Sequence, residues 1–127
     1  MRIVYVEDND QNYRLVMRIL MRENADYQLE RAADGESGLQ LITEEPPDLV
    51  LMDINLPDID GLEVTRRLKA RPNLSTIPIV ALTANAMVGD QERILAAGCD
   101  GYLRKPISRS ELREVLDRYA TSVNGAS

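Results

Sequence analysis

Short apolar segments rich in β-branched residues alternate with longer amphipathic segments along the whole chain. Segments such as RIVYV, DLVLM and IPIVAL have the length and composition of buried strands, and the segments between them have the apolar spacing of helices. The predicted strands are residues 2–6, 27–33, 48–52, 77–82 and 100–104, and the predicted helices are residues 9–24, 36–44, 62–71, 86–97 and 108–119. Strands that alternate with helices favour parallel pairing through right-handed crossovers. The chain is therefore predicted to form a doubly wound α/β domain, with a five-stranded parallel sheet flanked by five helices.

Histidine is absent from all 127 residues of the chain. A Ser-His or Cys-His nucleophile pair and a histidine-ligated metal site are therefore excluded within the chain. The formal net charge of -6 argues against direct nucleic-acid binding, which needs a basic surface.

The single cysteine, Cys99, cannot form a disulfide within the chain, which suits a reducing compartment. We expect it to be a small buried hydrophobic residue. The N-terminal segment is too short and too acidic for a signal peptide, and no apolar run approaches the ~20 residues that cross a bilayer. These features predict a cytoplasmic protein with no membrane partner.

Polar side chains follow the predicted strands at their carboxyl ends. They are Glu7 and Asp8 after the first strand, Asp53 after the third, Thr83 at the end of the fourth and Lys105 after the fifth. Doubly wound sheets bind ligands beyond these ends, where the strand order reverses. In the order 2-1-3-4-5, the first and third strands are neighbours at that point, so Glu7, Asp8 and Asp53 are predicted to converge.

Three carboxylates close together repel one another and need a compensating positive charge. Because this cluster offers only oxygen ligands, it suits a hard cation, Mg²⁺ before Ca²⁺. Lys105 would supply a second positive charge, and the two together could seat a phosphoryl group during its transfer. An EF-hand that begins at Asp8 is rejected, because Tyr13 and Ile19 occupy the positions that need glycine and glutamate.

Four motifs carry a family resemblance over residues 1–120. They are VEDN after the first strand, LVLMDINLPDIDGLE around the third, PIVALTA at the fourth and GYLRKPI at the fifth. Together and in this order, they resemble the receiver domain of two-component response regulators. The stretch TANAMVGDQERILAAGCDGYLRKPIS is most similar to stand-alone receivers, including those of the DivK type, and to receivers of hybrid kinases. Residues 121–127 are expected to be a short flexible C-terminal tail.

The resemblance implies that Asp53 is a phosphoacceptor. It would take a phosphoryl group from a phosphohistidine on a sensor histidine kinase or a histidine phosphotransfer protein. Mg²⁺ would be the cofactor, bound at Asp53, directly by Asp8, through a water by Glu7, and by the backbone carbonyl of Asn55. Glu7 departs from the commoner double aspartate of the family, and its longer side chain suits a water-mediated contact.

The resemblance also implies roles at the fourth and fifth strand ends. Thr83 and Lys105 would contact the phosphoryl oxygens, and the peptide bond between Lys105 and Pro106 would be cis. Tyr102 would be the switch aromatic, which moves inward as Thr83 shifts toward the phosphoryl group. The side chains expected to tune the phosphoryl lifetime are Asn55 and Asn85.

These expectations describe a phosphorylation-controlled switch whose only activities are self-phosphorylation and slow self-dephosphorylation. Its output surface would be the fourth helix, fifth strand and fifth helix, which would bind a downstream protein. Met17 and Met21 either belong to the core or help to dock the histidine donor, and docking is the preferred interpretation. Two other functions stay open, an adaptor that works without phosphorylation and a hydrolase of free phosphate esters.

Overall fold

The computed structural model describes residues 1–23, 26–84 and 88–124, and these form one parallel sheet between two layers of helices. Its strands are β1 (Arg2–Val6), β2 (Gln28–Ala32), β3 (Leu49–Asp53), β4 (Ile79–Thr83) and β5 (Gly101–Arg104). Its helices are α1 (Asp10–Glu23), α2 (Gly35–Glu44), α3 (Gly61–Lys69), α4 (Val88–Ala96) and α5 (Arg109–Asn124). The strands lie in the order β2-β1-β3-β4-β5 and every neighbouring pair is parallel. The predicted doubly wound fold is therefore confirmed.

The central strands β1, β3 and β4 are apolar almost throughout because helices cover both of their faces. Alternate side chains of each strand point to opposite faces of the sheet. On one face they pack against α1 and α5, through residues such as Val16 and Leu112. On the other face they pack against α2, α3 and α4, through residues such as Ile42, Leu68 and Ile94.

Two strand boundaries near the site differ from the predicted ones. Strand β4 begins at Ile79 rather than at residue 77, and the preceding Pro78 has no N–H to give to a ladder. Strand β3 includes Asp53, which was predicted to follow the strand. The carboxylate of Asp53 is therefore held on regular sheet rather than on a loop.

The last helix is longer than predicted. The expected end was Tyr119, where the apolar periodicity stops, but α5 continues through Asn124. A helix that has already formed can add residues without burying each new side chain. The predicted tail at 121–127 therefore begins inside a helix. The predicted start of the fourth helix, Ala86, lies outside the described residues.

Side-chain caps explain where α1 and α5 begin. Asn9 Oδ1 accepts the N–H of Asn12 at 2.9 Å, and Ser108 Oγ accepts the N–H of Glu111 at 3.2 Å. Each cap satisfies an N–H group that has no partner inside its helix. Among the described residues, no helix combines the length and the apolar character that crossing a membrane requires.

Lys69 joins the end of α3 to the segments that lead into β4 and β5. Its Nζ donates to the carbonyls of Ser75 at 3.2 Å and Ile77 at 2.8 Å, and lies 3.0 Å from Asp100 Oδ2. The same Asp100 oxygen accepts the N–H of Ile79 at 2.8 Å. One ammonium group therefore holds three neighbouring segments together.

Replacing this ammonium should destabilise the fold. Lys69→Met should lower the free energy of unfolding by about 1–3 kcal/mol, because two carbonyls and a carboxylate lose a charged donor. Urea unfolding measures the change. Arg67→Met removes an exposed ion pair with Glu63 from the same helix and should cost less than about 1 kcal/mol. Equal losses in the two variants would contradict the role of Lys69.

Candidate functional site

The predicted cluster of carboxylates forms at the carboxyl edge of the sheet. Glu7 directly follows β1, Asp8 comes next, and Asp53 ends β3. Because β1 and β3 pair directly, one carboxylate oxygen from each of the three residues lies within 4.8 Å of the other two. Glu7 and Asp53 are buried, whereas Asp8 is exposed. The convergence predicted from the strand ends is confirmed, and its open side is at Asp8.

Lys105 supplies the positive charge that contacts the buried acids. It follows β5, two strands away from β3, and its Nζ lies 3.0 Å from Glu7 Oε1 and 3.2 Å from Asp53 Oδ2. Its backbone N–H donates to the carbonyl of Thr83 at 2.7 Å. The peptide bond between Lys105 and Pro106 is cis. One ammonium group therefore contacts both buried carboxylates at once.

Glu7 is oriented by two residues that the sequence analysis did not identify. The hydroxyl of the fully buried Tyr5 donates to Glu7 Oε1 at 2.9 Å. Arg31 Nε donates to the carbonyl of Glu7 at 2.9 Å, and another guanidinium nitrogen lies 2.6 Å from Asp10 Oδ1. The same guanidinium lies over the ring of Tyr13, 5.1 Å from its centroid. The loop that carries the first two carboxylates is thus tied to β2 and to α1.

Tyr5 and Arg31 differ in how far the sequence could have revealed them. Tyr5 precedes Glu7 by two residues, and residues two apart in a strand share a face. That spacing was an available signal. Arg31 is paired with Tyr5 by the register of β1 and β2, which the sequence alone does not specify.

Asp53 is held by the start of the loop that follows it. The backbone N–H of Asn55 donates to Asp53 Oδ1 at 3.0 Å. The N–H of Gly61 donates to the carbonyl of Ile54 at 3.2 Å, which brings the start of α3 back under the strand end. A Cβ atom at Gly61 would overlap the carbonyl oxygen of Asp53, so only glycine allows this close approach.

The remaining predicted site residues have different placements. Thr83 is buried at the end of β4, one residue beyond the partner of Asp53 in the β3–β4 register. Tyr102 lies on β5 and is partly buried against the core cluster shared with α2, α3 and α4. Asn55 is exposed, and Asn85 lies outside the described residues. Cys99 is buried as expected, and burial raises the pKa of its thiol.

The pKa values of the two buried acids are shifted in opposite directions. Burial raises the pKa of Asp53 to about 7, and its hydrogen bond with Glu7 adds to the rise. Burial also opposes ionisation of Glu7, but hydrogen bonds with Asp53, Lys105 and Tyr5 outweigh it and lower the pKa of Glu7. Of the two acids, Asp53 is therefore the one that is protonated below about pH 7 when no cation is bound.

The residues of the site fit a hard divalent cation. All three acids offer oxygen ligands, which are the ligands that Mg²⁺ prefers. When the three carboxylates are ionised, the single ammonium of Lys105 leaves negative charge uncompensated. A divalent cation would neutralise that charge and displace the proton of Asp53.

Comparison with known proteins identifies the family. The sequence model for the response regulator receiver domain matches residues 3–117. This chain belongs to the response regulator receiver domain family. The polar-differentiation response regulator DivK of Brucella anthropi is 44% identical over 117 residues, which cover 92% of this chain and 94% of that protein. DivK of Brucella ovis has the same identity and coverage.

Solved structures also resemble this receiver domain. The receiver domain of the sensor histidine kinase PA1611 from Pseudomonas aeruginosa is 39% identical, with a TM-score of 0.83, and the match covers 93% of this chain and 95% of that one. That structure has a magnesium ion coordinated in its active site cleft. The chemotaxis protein CheY4 of Vibrio cholerae is 26% identical, with a TM-score of 0.84 and coverage of 93% and 97%. Our chain is therefore a two-component signalling domain of the response regulator class.

The raised pKa of Asp53 predicts a pH-dependent cost to stability. The folded chain binds this proton more tightly than the unfolded chain, whose aspartate titrates near 3.8. The free energy of unfolding should therefore fall as the pH rises from about 3.8 to about 7. Without Mg²⁺, Asp53→Asn should be more stable than the unmodified chain above pH 7, by about 1 kcal/mol or more.

Denaturant unfolding at several pH values, in the presence of a chelator, checks this prediction. The stability difference should shrink toward pH 4 and should also shrink when Mg²⁺ is added. Glu92→Gln, which neutralises an exposed acid on α4, is the matched control and should show little change. A stability difference for Asp53→Asn that does not vary with pH would be inconsistent with a raised pKa.

Proposed function

We propose that this receiver domain is a phosphorylation-controlled switch in which Asp53 accepts a phosphoryl group in a Mg²⁺-dependent reaction. The donor would be a phosphohistidine of a sensor histidine kinase or a histidine phosphotransfer protein. The observation that carries the proposal is the contact of Lys105 with two buried acids beside the exposed carboxylate of Asp8. This arrangement supports the proposal because it would bring a nucleophile, a cation site and a second positive charge together.

The transfer replaces one phosphorus bond with another. An ionised oxygen of Asp53 attacks phosphorus and the bond from phosphorus to the donor imidazole nitrogen breaks. The donor ring, protonated at its other nitrogen, takes the electron pair and leaves as neutral imidazole. A carboxylate can act in this way only after it has lost the proton that burial favours. Lys105 Nζ, 3.2 Å from Asp53 Oδ2, is close enough to pair with an oxygen of the incoming group.

Mg²⁺ would be held by Asp8, Asp53, the carbonyl of Asn55 and, through water, Glu7. When bound, it supplies charge neutralisation at the phosphoryl oxygens. The protein's own part is to keep the ligands in place. Glu7 is oriented by its hydrogen bonds, and Asn55 is held at its N–H by Asp53. Thr83 would donate its hydroxyl to a further phosphoryl oxygen.

The switch would reach the output surface through β4 and β5. Thr83 ends β4 and pairs in register with Arg104, while Tyr102 lies two residues earlier on β5. We propose that Tyr102 moves further into the core when Thr83 shifts toward a phosphoryl group. The surface of α4, β5 and α5 would then bind a downstream protein differently, and the 53% exposed Leu95 of α4 offers an apolar contact there.

Asn55 and Asn85 would tune the phosphoryl lifetime.

Phosphorylation is tested by incubating the protein with acetyl phosphate and Mg²⁺ and measuring the intact mass. The receiver domain should gain one phosphoryl group, and chelation of Mg²⁺ should prevent the gain. Asp53→Asn should gain none, while Asp117→Asn, which alters an exposed acid on α5, should be labelled like the unmodified chain. Absence of labelling where a known receiver is labelled would favour the phosphorylation-independent adaptor. Repeated turnover of a small phosphate ester would favour the hydrolase.

The exposed side of α1 supports the docking of the histidine donor next to the site. Met21 is 70% exposed and Leu15 is 38% exposed, and the helical spacing places the exposed Arg14, Arg18 and Arg22 between them on the solvent-facing side of the helix. Helix α1 begins directly after the loop that carries Glu7 and Asp8. Methionine and arginine are both enriched in protein interfaces, so this mixed surface suits a protein partner.

The two methionines singled out in the sequence have different surroundings. Met17 is half-buried, whereas Met21 is among the most exposed large apolar residues of the described chain. Burial of an unbranched thioether against a partner suits adaptable contacts. We therefore propose that Met21, rather than Met17, is central to donor docking.

A charge introduced at Met21 should weaken docking of the histidine donor without altering the phosphoryl-transfer site. Met21→Glu should slow transfer from a phosphohistidine donor by about tenfold, which corresponds to about 1.4 kcal/mol of lost binding. Labelling by acetyl phosphate should be unchanged, because that donor needs no docking surface. Leu95→Glu, an equivalent change on α4, should leave both rates unaffected. Equal slowing of protein-mediated transfer in the two variants would argue against donor docking on α1.

A further inference from the structure

Asp58 connects the loop after β3 to the first turn of α2. Its Oδ1 accepts the N–H of Gly35 at 2.8 Å, and its Oδ2 accepts the N–H of Glu36 at 2.9 Å. Both donors belong to the start of α2, where backbone N–H groups have no partner within the helix. A single carboxylate therefore satisfies two such groups from outside the helix.

The charge of Asp58 suits this position. The N-terminal end of a helix carries positive partial charge, which favours a carboxylate beside it. The N–H groups of Glu36 and Gly35 hold the pKa of Asp58 below its ordinary value. The carboxylate is thus ionised at neutral pH and accepts both hydrogen bonds.

Gly35 allows the helix to approach the loop closely. A Cβ atom at this position would lie 3.1 Å from Ile59 Cβ, 3.1 Å from Val64 Cγ2 and 3.2 Å from Asp58 Oδ1. These separations are tighter than ordinary van der Waals contact. The first residue of α2 therefore packs directly on the loop. The hydrogen bond from Gly35 to Asp58 is partly buried at this contact, and the one from Glu36 lies at its exposed edge.

The loop held by Asp58 also carries Asn55. At its strand end, the N–H of Ile54 donates to the carbonyl of Leu82 at 3.3 Å, and the N–H of Asn55 donates to Asp53 Oδ1 at 3.0 Å. Asp58 lies three residues beyond Asn55 and fastens the outer part of the same loop to a different element. The loop is thus anchored at both ends of the segment that contacts the acceptor carboxylate.

We propose that Asp58 is a positioning residue for the acceptor site. Asp58 ties the loop to α2. It thereby holds Asn55 in a position where the N–H of Asn55 donates to the Asp53 carboxylate and the carbonyl of Asn55 can bind the cation. The part that concerns the cation rests on the proposed function, whereas the part that concerns the loop does not. Preorganisation of this kind lowers the ordering cost of binding.

Asp34 provides a matched control for Asp58. Its side chain accepts the N–H of Ser37 at 2.8 Å, so it caps the same end of α2 without belonging to the loop. Asp58→Ala and Asp34→Ala each remove one carboxylate cap from this helix. Only the first variant should disturb the loop that carries Asn55.

Amide hydrogen exchange of the metal-free protein tests the proposal directly. Asp58→Ala should speed exchange at the N–H groups of Asn55 and Gly61 by about tenfold, because their bonds depend on the loop. Asp34→Ala should leave both rates within about twofold of the unmodified protein. Unchanged exchange at Asn55 in Asp58→Ala, or equal changes in both variants, would overturn the inference.

Calorimetric titration with Mg²⁺ adds a second measurement. Asp58→Ala should bind the ion about three- to tenfold more weakly than Asp34→Ala, and Asp58→Asn should lie between, since its amide oxygen keeps one acceptor. Asp58→Asn also replaces the alanine variant if that chain does not fold. If the unmodified protein binds no Mg²⁺, the proposed function fails, while hydrogen exchange still decides whether Asp58 positions the loop.

Discussion

The contact of one ammonium group with two buried carboxylates is the interaction on which the site depends. Glu7 and Asp53 could not both be ionised away from water without Lys105 beside them. Even so, the compensation is incomplete, because burial still raises the pKa of Asp53 to about 7. The folded chain thus has a defined excess of negative charge at one edge of its sheet, which is the property that would attract a divalent cation.

The contact of Lys105 with Glu7 and Asp53 results from the order of the strands. β1 and β3 place the two acids side by side, and Lys105 reaches them from beyond β5, past the end of β4. The same edge also receives the start of α3, where Gly61 lies against Asp53. Apolar packing on both faces of the central strands keeps these ends in register. The apolar packing that stabilises the core therefore also fixes the geometry of the site.

Hydrophobic periodicity predicted the strands and helices, and the strand order 2-1-3-4-5, which is one of the common orders of doubly wound sheets, then predicted the convergence of the three acids. The sequence did not predict the contacts of Arg31 and Asp58, since these depend on strand register and on the path of a loop, and neither is encoded in local patterns. Tyr5 is intermediate: its two-residue spacing from Glu7 was visible, but a buried hydroxyl partner could be recognised only once the strand had neighbours. The length of α5 was missed for a related reason, because helix propagation continued beyond the apolar pattern.

Because burial disfavours ionisation of Asp53, the site depends on contacts that keep its two buried acids in place. When both Glu7 and Asp53 are ionised, their repulsion would be relieved if the strand ends moved apart, and the surrounding contacts oppose that movement. Tyr5 and Arg31 restrain Glu7 from the β1 side, while Asn55 and the loop fastened by Asp58 restrain the β3 side. These hydrogen bonds on both sides oppose relaxation of the charge imbalance through backbone movement. A proton on Asp53, a bound cation or a new covalent bond at Asp53 would each relieve the imbalance, which explains why the ionisation of this pocket should respond to pH and to Mg²⁺.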